Sequence, residues 1–140
     1  MNNFPKHPFG TEITNTSILR DMAKCRSWED KYRLVIQLGK KLPFLDQSLK
    51  AQSVDIPGCE SEVWLIWQEI DGVYHFSADS DARIVKGLIS LILAEIEGKT
   101  REDLRKIDFD AYFDAMDLLN HLSQSRSNGI RSIIEQIKKI

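Results

Sequence analysis

A small antiparallel sheet of three strands packed against several helices, an α+β arrangement, is what this 140-residue chain predicts. Three observations lead there. Apolar residues recur at helical spacing on both sides of the middle of the chain. Between them the period drops to two, from Ala51 to Ala78, and an Asp71-Gly72 pair interrupts that stretch as a two-residue hairpin turn would. No repeat, linker or low-complexity segment divides the chain, so 1–140 reads as a single domain, with 1–13 as an irregular head. A chain of this length buries about two-thirds of its unfolded surface.

The first helix is predicted over Thr14 to Lys24, with Ile18, Leu19 and Met22 on one face and Thr14 or Thr16 as its cap. The second begins more sharply. Ser27 followed by Asp30 resembles a capping box, and Trp28, Tyr32, Val35, Leu38 and Leu42 form a core-facing stripe. Pro43 disfavours helical geometry at Leu42 and sets the end there.

Ala51 to Ile56 reads as a short first strand and Glu62 to Ile70 as the second. In the longer run Val63, Leu65 and Trp67 alternate with Trp64, Ile66 and Ile70. Both faces are apolar, which predicts a central strand covered on two sides. Val73 to Ala78 is its antiparallel partner, with Tyr74 and Phe76 toward the core.

Asp79-Ser80-Asp81 is expected to end the sheet and open a long apolar helix, Ser80 acting as N-cap and the acids favouring the positive end of the helix dipole. Ile84 through Ile96 supplies the apolar face and Gly98 the C-terminal stop. Thr100 with Asp103 opens a short helix, Asp108 to Leu122 reads as helical turns, and Ser123 or Ser125 caps a last helix. That helix carries Ile130, Ile133, Ile134 and Ile137, and its Gly129 points to a close packing contact.

Composition narrows the functions. Hydrophobic content of 42% and charged content of 29% are ordinary for a soluble protein. With a net charge of −2 and no basic run of five residues, nucleic-acid binding has no support. No apolar run of about 18 residues is present to span a membrane, and the head lacks the apolar core of a secretory signal, so a cytoplasmic protein is expected. Thiols stay reduced in that compartment, which disfavours a Cys25–Cys59 disulfide. His7, His75 and His121 lie far apart and no Cys or His pair has ligand spacing, so no metal site is expected.

One residue is placed like a nucleophile. Cys59 follows a Pro57-Gly58 bend and precedes the best strand. A Cys–His pair needs His75 or His121 to arrive through the fold. Asp55, Glu60 and Glu62 disfavour a thiolate, so the thiol suits a group that stays quiet until a partner activates it. Cys25, between Lys24 and Arg26, reads as incidental, and Asp79 with Asp81 reads as helix capping rather than acid–base machinery.

Gly58-Cys59-Glu60-Ser61-Glu62-Val63-Trp64 resembles the signature of the SufE family of sulfur-acceptor proteins. Trp28-Glu29-Asp30-Lys31-Tyr32 ahead of Leu38-Gly39 and Leu42-Pro43 agrees with it. So do Asp79-Ser80-Asp81 leading into Arg83-Ile84-Val85-Lys86-Gly87-Leu88, and Leu122-Ser123 ahead of Ser125-Arg126-Ser127-Asn128-Gly129. The head, His7-Pro8-Phe9-Gly10-Thr11, and Glu97-Gly98-Lys99-Thr100 look closest to the CsdE branch.

The resemblance implies an α+β, SufE-like fold and a carrier without a cofactor of its own. Such a protein takes sulfane sulfur as a persulfide on Cys59 from a pyridoxal-phosphate (PLP) cysteine desulfurase of the SufS or CsdA type and stimulates that enzyme. It passes the sulfur to an iron–sulfur scaffold or a tRNA-modification protein. The resemblance places Glu60 and Arg126 near the Cys59 loop. The strand-to-helix corner suggests Asp79, Asp81, Arg83 and Lys86 as a surface for the desulfurase. A monomer is expected, and a regulatory module that carries no sulfur or a stand-alone thiol enzyme are the alternatives.

Overall fold

The computed structural model describes residues 4–56 and 61–140. Pro57, Gly58, Cys59 and Glu60 lie outside the described residues, and with them the bend predicted at Pro57-Gly58.

The β-rich middle of the chain forms one hairpin. Strand β1 (Val63–Ile70) pairs antiparallel with β2 (Val73–Ser80), in a register that runs from Val63 opposite Ser80 to Ile70 opposite Val73. Asp71 and Gly72 take φ of 54° and 85°, the two left-handed positions that a type I′ turn demands. The expected third strand is absent among the described residues: the sheet has two strands. Residues 51–56 do run beside β1, and the Val54 amide donates to the Leu65 carbonyl at 3.1 Å. The Leu65 amide, however, donates to the Ser53 hydroxyl at 2.8 Å. A side-chain oxygen stands where a strand would offer a carbonyl, so the ladder does not propagate.

Three helices precede the hairpin. In α1 (Asn15–Ala23) the Thr14 hydroxyl accepts from the Ser17 amide and the Ser17 hydroxyl accepts from the Thr14 amide, a reciprocal cap. Helix α2 (Trp28–Gly39) starts as expected at Ser27, whose hydroxyl accepts from the Asp30 amide. The Asp30 carboxylate does not reach back to Ser27 and accepts from the Arg26 amide instead. Tyr32, expected in the core stripe, is 42% exposed and lies edge-on to Trp28, which packs against the core in its place. A four-residue helix that spacing did not announce, α3 (Gln47–Lys50), is capped by Asp46.

That helix explains the two-sided strand. Leu65 and Phe76 enter the main core, while Ile66 packs with Leu45 and Leu49 on the opposite face. Both faces of β1 are therefore covered, as its alternation predicts.

Helix α4 (Arg83–Ile96) is the centre of the fold and is buried along most of its length. It crosses α2 at a point where two glycines meet. A Cβ on Gly87 would lie 2.2 Å from the Val35 carbonyl oxygen, and one on Gly39 would lie 2.7 Å from the Gly87 nitrogen. Side chains are excluded there, so the two backbones touch.

The start of α4 departs from expectation. Asp79 and Ser80 belong to β2, the N-cap is Ala82, and no side chain caps the helix. Ser80 instead donates its hydroxyl proton to the Glu62 carbonyl at 2.7 Å and accepts from the Ala82 amide at 3.2 Å. The strand runs two residues longer than predicted because that bond and the Val63–Ser80 pairing hold its end.

Helices α5 (Arg101–Lys106), α6 (Phe109–Met116) and α7 (Gln124–Lys138) complete the core, capped by Thr100, Asp108 and Ser123. Helix α6 stops at Asp117, which takes φ of 51°, and the Lys31 ammonium donates to the Met116 carbonyl at 2.9 Å. The head is irregular but not detached. Phe9 is fully buried, and the loop from Pro8 to Ile13 closes on itself through the Gly10 and Ile13 amides.

Candidate functional site: the open end of the hairpin

Ile56 and Ser61, the described residues on either side of the Cys59 stretch, lie at the end of the hairpin away from its turn. Both stems are tied down. On the approach, Ser53 and Val54 bond to Leu65. On the exit, Glu62 is held three ways: its amide donates to the Asp81 carboxylate at 3.1 Å, and its carbonyl accepts from the Ser80 hydroxyl and from the Asp81 amide. A cavity of ≈ 400 Å³ opens between the stems, with Lys50, Ser53 and Asp55 on one side and Ser61, Glu62 and Trp64 on the other. The Lys50 ammonium lies 4.0 Å from the centre of the Trp64 ring.

Arg126 is the third residue of α7, and its amide donates to the Ser123 hydroxyl. Its Nη1 is buried and has no hydrogen-bond partner among the described residues. Desolvating a guanidinium nitrogen without a partner costs free energy, so such a group marks a place where an anionic or polar atom is wanted. The other two residues expected at this site, Cys59 and Glu60, lie outside the described residues.

The four residues suggested as a partner surface separate into two kinds. Asp81 and Arg83 are exposed and Lys86 is half-buried. Asp79 is 3% exposed and faces inward: its carboxylate accepts from the Leu45 amide at 3.1 Å and the Ser80 amide at 2.8 Å, and Lys86 Nζ stands 3.6 Å away. It fastens β2 to the segment after α2 and anchors Lys86. The helix-capping reading of Asp79 and Asp81 is corrected by the same contacts, since neither lies in the first turn of α4.

Neither candidate histidine stands at this end of the hairpin as a free base. His75 pairs across the sheet with Gln68, five residues along β2 from Ser80, roughly 17 Å at the rise of a strand. Its Nδ1 is 2.6 Å from Glu97 Oε2. His7 meets the same carboxylate at 3.2 Å through Nε2, which also lies 3.0 Å from the Phe76 carbonyl. The Phe9 amide donates to His7 Nδ1, so Nε2 is the nitrogen that carries the proton. Burial raises the Glu97 carboxyl, but the hydrogen bonds from His7, the Phe76 amide and His75 outweigh it and hold the group below its ordinary range. His121 stacks on Trp28 at 5.0 Å and faces Asp117.

Cys25 is a free thiol that donates to the Asp21 carbonyl. Burial and then the charge of Asp30 push its thiol up, opposite to what a nucleophile needs. Among the described residues no group of three His, Cys, Asp or Glu side chains is placed to hold a metal ion. No helix among them is long and apolar enough to cross a membrane.

Comparison with known proteins decides the family. The model of the SufE family, described as an Fe–S metabolism associated domain, matches residues 16–140. The chain belongs to the SufE family. It is 44% identical over 135 residues to the sulfur acceptor protein CsdE of Escherichia coli, covering 96% of this chain and 92% of that one. An uncharacterized SufE-like protein of Rhizobium meliloti is 39% identical over 125 residues, 86% of this chain and 89% of its own length. The solution structure of a hypothetical protein from Thermus thermophilus superposes with a TM-score of 0.72 at 12% identity, over 89% of this chain and 90% of that one, a likeness of fold alone. The SufE family and its CsdE branch are thus the relatives that the motifs around Cys59 and in the head pointed to.

Proposed function

We propose that this chain is a sulfur acceptor for a PLP cysteine desulfurase of the SufS or CsdA type, with Cys59 as the carrying thiol. The observation that carries the reading is the nearly full-length similarity to a sulfur acceptor protein in a chain whose own signature centres on Cys59.

The chemistry is an exchange at sulfur. The Cys59 thiolate attacks the outer sulfur of the desulfurase persulfide and forms a new S–S bond, while the old S–S bond breaks. The desulfurase thiolate leaves and takes up a proton, and Cys59 is left as a persulfide. No outside oxidant or reductant enters. Access limits such a step, and the described residues that bracket the Cys59 stretch, Ile56 and Ser61, line a cavity at the end of the hairpin. Discharging the enzyme's persulfide frees its cysteine for another turnover, which is how an acceptor stimulates it.

The half-buried Arg126, through its buried Nη1, supplies a guanidinium for the thiolate or persulfide anion, and Glu60, the neighbour of Cys59 in sequence, supports the thiol. Asp81, Arg83 and Lys86 face the desulfurase, while Asp79 supports them from below. The carrier works in the cytoplasm as a monomer and hands its sulfur to an iron–sulfur scaffold or a tRNA-modification protein.

The test is the intact mass of the full chain after incubation with a desulfurase and free cysteine. A gain of about 32 Da that maps to Cys59 and is removed by dithiothreitol is expected, since reductants reverse this exchange. Cys59→Ser should fold normally, gain no mass and give no stimulation. Absence of the adduct on the wild-type chain beside an active desulfurase would leave a regulatory module that carries no sulfur.

A further inference from the structure

Phe44 is 71% exposed, although large apolar side chains of the described chain are otherwise mostly buried. It lies between Pro43 and the fully buried Leu45, so its outward position is fixed by its neighbours. The Lys50 ammonium stands 5.0 Å from the Phe44 ring and 4.0 Å from the Trp64 ring, which joins the two aromatics through one cation.

A second group of cations lies nearby in the fold. Lys40, Arg83 and Lys86 line a single cavity of ≈ 280 Å³ with Ile36 and Gly39. A short chain of contacts links it to Phe44: Leu45 donates to Asp79, and Asp79 faces Lys86 at 3.6 Å. Asp79 is buried, so its charge does not reach this surface as a free acid. The exposed Asp46 turns its carboxylate to the Leu49 amide and the Ser48 hydroxyl, where it caps α3.

We infer that Phe44, with Lys50 against its ring and with the cations Lys40, Arg83 and Lys86 linked to it through Leu45 and Asp79, is a docking surface for an acidic, apolar-centred segment of the persulfide-donating desulfurase. The charge selects the partner's sign: Lys40, Lys50, Arg83 and Lys86 outnumber the exposed acids Asp46 and Asp81 there, within a chain of net charge −2. Position selects the partner itself. Lys50 and Trp64 also line the cavity bounded by Ile56 and Ser61, so an enzyme whose persulfide reaches Cys59 covers this patch as it arrives. Aromatic side chains, Phe among them, are enriched in interface cores relative to the rest of the surface, where they are costly to leave in water. The inference rests on the sulfur-acceptor reading and adds the chemistry of the partner's contact face.

The experiment titrates the full chain into purified cysteine desulfurases of the CsdA and SufS types at about 50 and about 300 mM salt, and follows sulfur loading in the same samples. For the desulfurase that loads the wild type, Phe44→Asp should weaken binding at least tenfold and Phe44→Ala somewhat less. Both should keep the wild-type melting temperature, because the ring is exposed. The double variant Lys40→Glu with Arg83→Glu should weaken binding at low salt and flatten its salt dependence.

Wild-type affinity in both the Phe44→Asp and the double variant, with wild-type loading intact, overturns the docking surface and leaves the acceptor reading standing. A wild-type chain that neither binds nor loads with any desulfurase overturns the acceptor reading and this occupant together. A concentration-dependent dimer of the chain alone that Phe44→Asp dissolves, with desulfurase binding unchanged, assigns the patch to a second copy and likewise overturns the inference.

Discussion

The Ser80 hydroxyl donates to the Glu62 carbonyl at 2.7 Å, tying the end of β2 to the third residue after Cys59. The same oxygen accepts from Ala82, so one side chain joins the exit stem of the Cys59 loop to the start of α4. Ser80→Ala removes both bonds. A net loss of about 1 kcal/mol is expected, or about 3 °C in melting temperature for a domain of this size. The fold should survive, and amide exchange should rise locally from Ser61 to Trp64. Unchanged exchange there would mean that Asp81 alone holds the stem.

Packing of α4 on α2 sets a harsher limit. Gly87→Ala would put a methyl group 2.2 Å from a backbone oxygen of Val35, an atom that cannot rotate away. Helix axes must separate, and a loss of about 3 kcal/mol is expected in urea unfolding. Gly72→Ala is the contrast. Its φ of 85° is strained for alanine, but no atom lies within 4 Å of the added carbon. A loss of about 1–2 kcal/mol is expected there. Equal midpoints for the two variants would contradict close backbone contact at the crossing.

The head is fastened by a carboxylate, and its attachment is therefore pH-dependent. Glu97 bridges His7 and His75 and titrates below its ordinary range in the folded chain. For a carboxyl lowered on folding, the stabilising contribution is complete above the unfolded pKa and disappears as pH falls through the folded value. Melting temperature followed from about pH 6 to about pH 3 should decline, and Glu97→Gln should flatten that decline while lowering stability at neutral pH. A decline of the same steepness in the variant would assign the acid sensitivity to other carboxylates.

These relationships differ in how far they can be read from the chain itself. The Ser27 cap and the Asp71-Gly72 turn involve residues at most three apart, and local chemistry alone specifies them. The two-sided covering of β1 was also legible, because alternation records burial on each face. The third strand was not. Its pairing fails at one hydroxyl, Ser53, whose partner Leu65 is 12 residues away. Asp79 looked like a helix cap and a surface acid because its partners Leu45 and Lys86 meet it only in the folded chain. The anchoring of the irregular head was not legible, because nothing near His7 in sequence signals that Glu97 will hold it. Phe44, in an apolar Leu-Pro-Phe-Leu run, gave no sign of pointing outward. Within the candidate site, Cys59 was singled out by a motif, and the anchoring of its stems came only with the fold.

Arg126 offers the sharpest separation between a structural and a chemical role. Its Nη1 is buried without a partner among the described residues, which leaves it open to an anionic sulfur. Arg126→Met keeps much of the side-chain length and removes the cation. If the guanidinium serves the sulfur anion, this variant should melt at or above the wild-type temperature. Its Cys59 should nonetheless accept sulfur at least tenfold more slowly, about 1.4 kcal/mol in barrier. Arg126→Lys should recover part of that rate, because it restores the charge without the fork. A purely structural residue behaves in the opposite way, with both variants losing stability and with sulfur acceptance by the folded fraction unchanged. Melting curves together with time-resolved mass measurement of Cys59 loading distinguish the two outcomes.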